Sequence, residues 1–94
     1  MYYRGYILMR MRIIGKEWAV VNKLKGLKST EKGEDWKITY GTPVYGGWDA
    51  IIECCFSQLS DLDKIVTYCR VDEELSSWIE ETTTLMGGKA DFPG

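Results

Sequence analysis

The sequence predicts an α+β domain of order βαββαβ: a four-stranded antiparallel sheet with two helices on one face. Three observations lead there. Four stretches alternate apolar and polar side chains with the period of a strand. Two others repeat apolar residues at helical spacing, and the six follow one another without a linker or low-complexity segment between them. At 94 residues the chain reads as a single domain, residues 1–94. A chain of this size hides roughly 60–65% of the surface its unfolded form exposes, so a partner surface would add to its core.

The first strand is Tyr6 to Ile13, YILMRMRI, with Ile7, Met9, Met11 and Ile13 on one side and Tyr6, Leu8, Arg10 and Arg12 on the other. After Gly15, Trp18, Val21, Leu24 and Leu27 recur at a spacing of three with Val20 beside them, so Lys16 to Leu27 reads as an amphipathic helix with its lysines in water. Ser29 to Asp35, STEKGED, is a polar turn. Trp36, Ile38, Tyr40, Thr42 and Val44 then alternate with polar or small residues, giving a second strand, bent or bulged around Gly41 and Pro43 and best placed at an edge. Gly46-Gly47 turns the chain into the third strand, whose apolar side is Ala50, Ile52, Cys54 and Phe56, with Asp49, Ile51, Glu53 and Cys55 opposite. Ser60 and Asp63 are spaced as a capping box, and Leu62, Ile65, Val66 and Cys69 form the buried face of the second helix. Asp72 to Ser76 is read as a polar connection, Trp78 to Met86 (WIEETTTLM) as the fourth strand, and Gly87 to Gly94 as a tail.

Two right-handed split crossovers place the first and third strands at the centre of the sheet, a ferredoxin-like arrangement. The face away from the helices then carries Leu8, Ile51, one register of the fourth strand and aromatic rings of the second. It is too apolar to stay wet. A twofold dimer with sheets packed face to face, and with Leu8 and Ile51 in the interface, closes it most simply.

Composition narrows the function. Lys and Arg number 12 against 14 Asp and Glu, a net charge of −2, and the basic residues are dispersed, so direct binding to nucleic acid is not expected. The apolar runs are too short for a membrane span. The Met1-Tyr2-Tyr3-Arg4 start lacks the pattern of a secretory signal, which predicts a cytoplasmic protein. Histidine is absent, which removes the usual general base and the commonest zinc ligand; neither a catalytic residue, a metal nor a cofactor is expected. The three cysteines read as reduced thiols.

Three motifs carry a resemblance: YILMRM as the opening strand, Tyr45-Gly46-Gly47-Trp48-Asp49 as a glycine, aromatic, aspartate turn, and the Leu62 to Arg70 helix preceding Glu80-Glu81-Thr82-Thr83-Thr84-Leu85-Met86. From Tyr6 to about Met86 the chain resembles the ligand-binding regulation-of-amino-acid-metabolism (RAM) domain of the leucine-responsive and asparagine-responsive (Lrp/AsnC) transcription regulators. Each motif is short; their order and spacing carry the likeness. Family members usually have an N-terminal helix-turn-helix domain, for which this sequence has no room before its first strand, so the stand-alone form is the one it resembles. The resemblance implies a dimer formed through the sheets, further assembly into an octamer or larger ring, small molecules such as amino acids held between subunits, and full-length Lrp/AsnC regulators as partners. Trp48 departs from the smaller aromatic usual in the family, and Gly41-Thr42-Pro43 from its more regular second strand.

The expected ligand site follows from the chemistry of an amino acid. Amides of Gly46 and Gly47 can meet a carboxylate, Asp49 can accept from an ammonium group, and Trp48 lies between them in the chain. Ser57 and Gln58 are expected on the same rim, with hydroxyls from Thr82 and Thr84. Ordinary roles compete: a hairpin turn, a solvated acid and sheet-forming threonines. A non-enzymatic binding and oligomerisation module is therefore the first expectation. The alternatives are a small dimeric ferredoxin-like enzyme of the monooxygenase type, with Tyr40, Tyr45, Trp48 and Trp78 lining its cavity, and a purely structural partner of full-length regulators.

Overall fold

Alternation in the first strand does what the sequence predicts: Ile7, Met9 and Met11 are buried on one side of β1 (Tyr3–Met11). A computed structural model describes residues 2–89. The remaining elements are α1 (Glu17–Leu24), β2 (Trp36–Pro43), β3 (Ala50–Phe56), α2 (Leu59–Val71), α3 (Glu73–Trp78) and β4 (Ile79–Lys89). The sheet is antiparallel throughout in the order β2-β3-β1-β4, so the two central strands are those expected. One face packs Ile7, Met9, Ala50, Ile52, Cys54 and Phe56 against Val20, Val21 and Leu24 of α1, Ile65 and Cys69 of α2 and Leu75 of α3. At Gly5 on β1 the fit leaves no room for a side chain, because an added Cβ would lie 2.9 Å from Phe56 Cε1 and 3.2 Å from Cys54 Sγ.

Several expectations are corrected. Ile13 lies beyond the end of β1 and is 43% exposed, and Trp18, expected in the buried stripe of α1, is 61% exposed. The helix is shorter than read: Gly26 takes a φ of +77°, a left-handed conformation that ends helices readily. The chain beyond it then joins the sheet edge, where Leu27 O accepts from Ile38 N at 2.8 Å and Ser29 N donates to Trp36 O at 2.9 Å.

The irregularity in β2 falls one turn of alternation earlier than expected. Ile38 pairs with Cys54 but Tyr40 with Glu53, leaving Thr39 as the extra residue of a bulge. Because side chains alternate with a period of two, the insertion moves Tyr40 and Thr42 to the face opposite Ile38. Strict alternation had put all three together.

Ser60 and Asp63 do not cap α2. Gln58 is the N-cap residue and makes no side-chain cap bond. The first-turn acid that matters is Asp61, buried at 1% exposure, whose carboxylate accepts from Asp35 N at 3.4 Å. The stretch Asp72 to Ser76, read as a polar connection, instead forms most of α3. Asp72 caps it by accepting from Leu75 N at 3.1 Å, and the apolar Leu75 behind the polar residues is fully buried. Finally, β4 begins after Trp78 and continues through Gly87 to Lys89, which pairs with Tyr3 across a register shift. The expected tail is strand that far; residues 90–94 lie outside the described residues.

Candidate functional site

The face of the sheet away from the helices has an apolar centre with charged ends. Leu8 and Ile51 are cross-strand partners there, both partly exposed. Thr83 stands opposite Leu8 and Thr42 opposite Ile51. In the next row Leu85, Tyr6, Glu53 and Tyr40 cross the four strands, with Leu85 and Tyr40 at least half exposed. At one end Arg10 Nε lies 3.2 Å from Glu81 Oε1. At the other, Arg4 Nε is buried without a hydrogen-bond partner, 3.9 Å from Glu53 Oε2.

The Gly46–Asp49 loop rises beside the Arg10 end. Val44 N donates to Asp49 O at 3.0 Å and closes it. Gly46 has a φ of +117°, the left-handed region that glycine alone occupies without strain. A Cβ at Gly46 or Gly47 would meet nothing within 4 Å, so the backbone is open to close approach from outside. Asp49 is tied into the sheet: its N–H donates to Met9 O at 2.9 Å and its Oδ2 accepts from Met11 N at 2.7 Å. The carboxylate thus terminates β1. Trp48 is held from above by the Arg10 guanidinium, 4.8 Å from the ring centroid, within the range where a cation gains from an aromatic face.

The other expected site residues are elsewhere. Ser57 and Gln58 follow β3 at its far end from Asp49, separated by roughly 25 Å of strand at about 3.3 Å per residue. They do not share a rim with the glycine turn. Thr82 and Thr84 pair with Met9 and Ile7 and so point to the helix side of β4, whereas Thr83 faces the open side. Thr82 lines a groove of about 390 Å³ with Arg12, Cys69 and Arg70. Arg10 is the residue that sequence reasoning missed. Its place beside Trp48 depends on which strands pair and in what register, which alternation within one strand does not reveal.

Burial pushes the Cys54 and Cys69 thiols up to about 12, leaving both protonated at neutral pH. Among the described residues no cluster of His, Cys, Asp and Glu could hold a metal ion, and no helix is long and apolar enough to cross a membrane.

No protein-family model matches the chain, and no curated protein matches it. Solved structures do. FFRP-DM1, a feast/famine regulatory protein, superposes with a TM-score of 0.63 at 25% identity, covering 90% of this chain and 97% of that one. The fold is Lrp/AsnC-like. The hypothetical protein PHS023 from Pyrococcus horikoshii gives a TM-score of 0.65 at 24% identity over 97% of this chain and 94% of its own. PH0061 gives 0.67 at 8% identity over 97% of this chain and 55% of its own. At those identities the last two bear on the fold alone.

Proposed function

We propose that this chain is a non-enzymatic regulatory module that acts as a homo-oligomer and binds a small effector, an amino acid or similar zwitterion, at the loop Gly46–Asp49. One observation carries the reading: an apolar centre on the open sheet face lies next to a glycine loop whose backbone can be approached from outside. The likeness to FFRP-DM1 supports a regulatory role. Two copies bury Leu8 and Ile51 against each other, and the loop of each then borders the cleft that the pairing creates. The effector's carboxylate meets the amides of Gly46 and Gly47 or the Arg10 guanidinium, and its ammonium group meets Asp49. Larger rings are built from such dimers, and the effector state passes to a full-length regulator sharing the same interface. The module makes no direct contact with nucleic acid.

Native mass spectrometry with and without a panel of amino acids tests this. A dimer or larger assembly, shifted in mass or in distribution by at least one amino acid, is expected. A monomer at micromolar concentration that ignores every member of the panel overturns it.

A further inference from the structure

A second site lies at the outer edge of β2, away from the Gly46–Asp49 loop, with Tyr40 and Thr42 at its border with the open face. Trp18 is 61% exposed although it sits on a helix that packs on the core. It forms one wall of a groove of about 380 Å³ between α1 and the outer edge of β2, a volume within the range of small-molecule pockets. The groove floor is apolar, made by Val21, Ile38 and Ile52, all buried. Gly41 opens the strand side of it, since an added Cβ would lie 2.8 Å from Ile52 Cδ1 and 3.4 Å from Val21 Cγ1. Trp18, Asn22 and Lys25 follow one another at i, i+4 and i+7 along α1 and its cap, so they share one stripe. Among the described residues, Lys25 is the one charged side chain in the lining.

We infer that this groove binds a flat aromatic carboxylate, its ring against the Trp18 indole over the apolar floor and its anionic end toward Lys25. The cation and the ring are about 10 Å apart along the helix, at about 1.5 Å per residue, and a flexible lysine can close part of that gap. An aromatic ring separated from a carboxylate by two or three bonds therefore spans the site. A peptide strand added to the β2 edge fits less well. Leu27 and Ser29 already occupy the edge at Trp36 and Ile38, the bulge at Thr39 disrupts the next position, and Pro43 has no amide hydrogen to donate. Only a few residues of free edge are left, too short for a strand but enough for one amide or carbonyl to orient a small ligand.

The test is a ¹H–¹⁵N NMR titration of the intact protein with 3-phenylpropanoate and, separately, with its neutral amide. Saturable shifts are expected at the Trp18 indole N–H and the Gly26 and Gly41 amides, with a Kd on the order of 1 mM. The amide should bind about threefold to tenfold more weakly than the acid, a modest factor because Lys25 is exposed. Lys25→Gln should erase that difference, and Trp18→Ala should weaken both ligands by about tenfold or more, the loss of an aromatic contact together with its buried area. Both positions are exposed, and an unchanged spectrum elsewhere shows that the variants fold. The inference is overturned by three outcomes: no saturable shift at the groove, equal binding of acid and amide to the wild type, or discrimination that survives in Lys25→Gln. Signals of the Gly46–Asp49 loop report the proposed effector site separately, so the failure of one site is distinguishable from the failure of the other.

Discussion

Asp49 shows how one side chain serves both the fold and the candidate site. Its Oδ2 takes the Met11 N–H at 2.7 Å, and Met11 is a buried residue, so removing the acceptor leaves a donor with no ready substitute. Asp49→Ala is expected to destabilise the protein by about 1–3 kcal/mol, the cost of an orphaned buried group. Asp49→Asn keeps an acceptor oxygen and should recover most of that stability while losing the charge that an ammonium group would meet. Chemical denaturation alongside calorimetric titration separates the two roles: a binding defect without a stability defect in Asp49→Ala would contradict the structural one. The thiols divide in a similar way. Cys54 and Cys69 are buried and held protonated, whereas Cys55 is half-buried on the open face. Iodoacetamide should therefore label Cys55 first, and the other two only when the protein opens. Peptide mapping of singly labelled protein would show the order directly.

At the scale of elements, a charged pair couples the loop before β2 to α2. The Lys64 ammonium group, followed by the Trp36 indole N–H, holds the Glu34 carboxyl below its ordinary value. A carboxyl depressed in the folded state adds stability above its unfolded value, and that contribution is lost as pH falls through the folded one. Tm is therefore expected to drop as the pH goes below about 4, and Glu34→Gln should be less stable than the wild type near neutrality but lose less on acidification. Parallel melting curves for wild type and Glu34→Gln that stay equally spaced from pH 7 to the acid limb would contradict it. Elements also show what could be read in advance. The alternation of Ile7, Met9 and Met11, and of Ala50, Ile52, Cys54 and Phe56, was legible because both central strands bury one whole side. Thr39 was not, because a bulge needs a partner strand to be defined. Nor was α3, since five of the six residues in EELSSW flank or follow a single buried leucine and no periodicity emerges from so short a run. The same limit applies to the candidate site. Gly46 and Asp49 stood out in one motif, but the placement of Arg10 over Trp48, and the separation of Ser57 from both, depend on tertiary pairing.

For the molecule as a whole, the decisive quantity is what covers the open face. Three helices protect one side of the sheet, while Tyr40 at 61% and Leu85 at 50% exposure flank Leu8 and Ile51 on the other. Stable homodimers commonly bury about 2,000 Å² or more in total, and a four-stranded face with its bordering loops is of suitable extent. If that face is the dimer interface, a charge placed at its centre is desolvated on assembly without a partner, whereas in the monomer it stays in water. Leu8→Glu and Ile51→Lys should thus shift assembly toward monomer at micromolar concentration while preserving helix content and most of the thermal stability of the isolated chain. The two substitutions are cross-strand neighbours, so combining them brings opposite charges together and should recover part of the assembly, which a simple loss of folding would not do. Cys55 supplies a second readout on the same face: its alkylation should be slow in the wild-type dimer and accelerate in either single variant, with Cys54 and Cys69 still protected. Analytical ultracentrifugation across a dilution series, run beside the labelling experiment, decides the matter. Single variants that sediment like the wild type, or that label all three thiols together, would mean that the copies meet elsewhere or that the substitutions unfold the sheet.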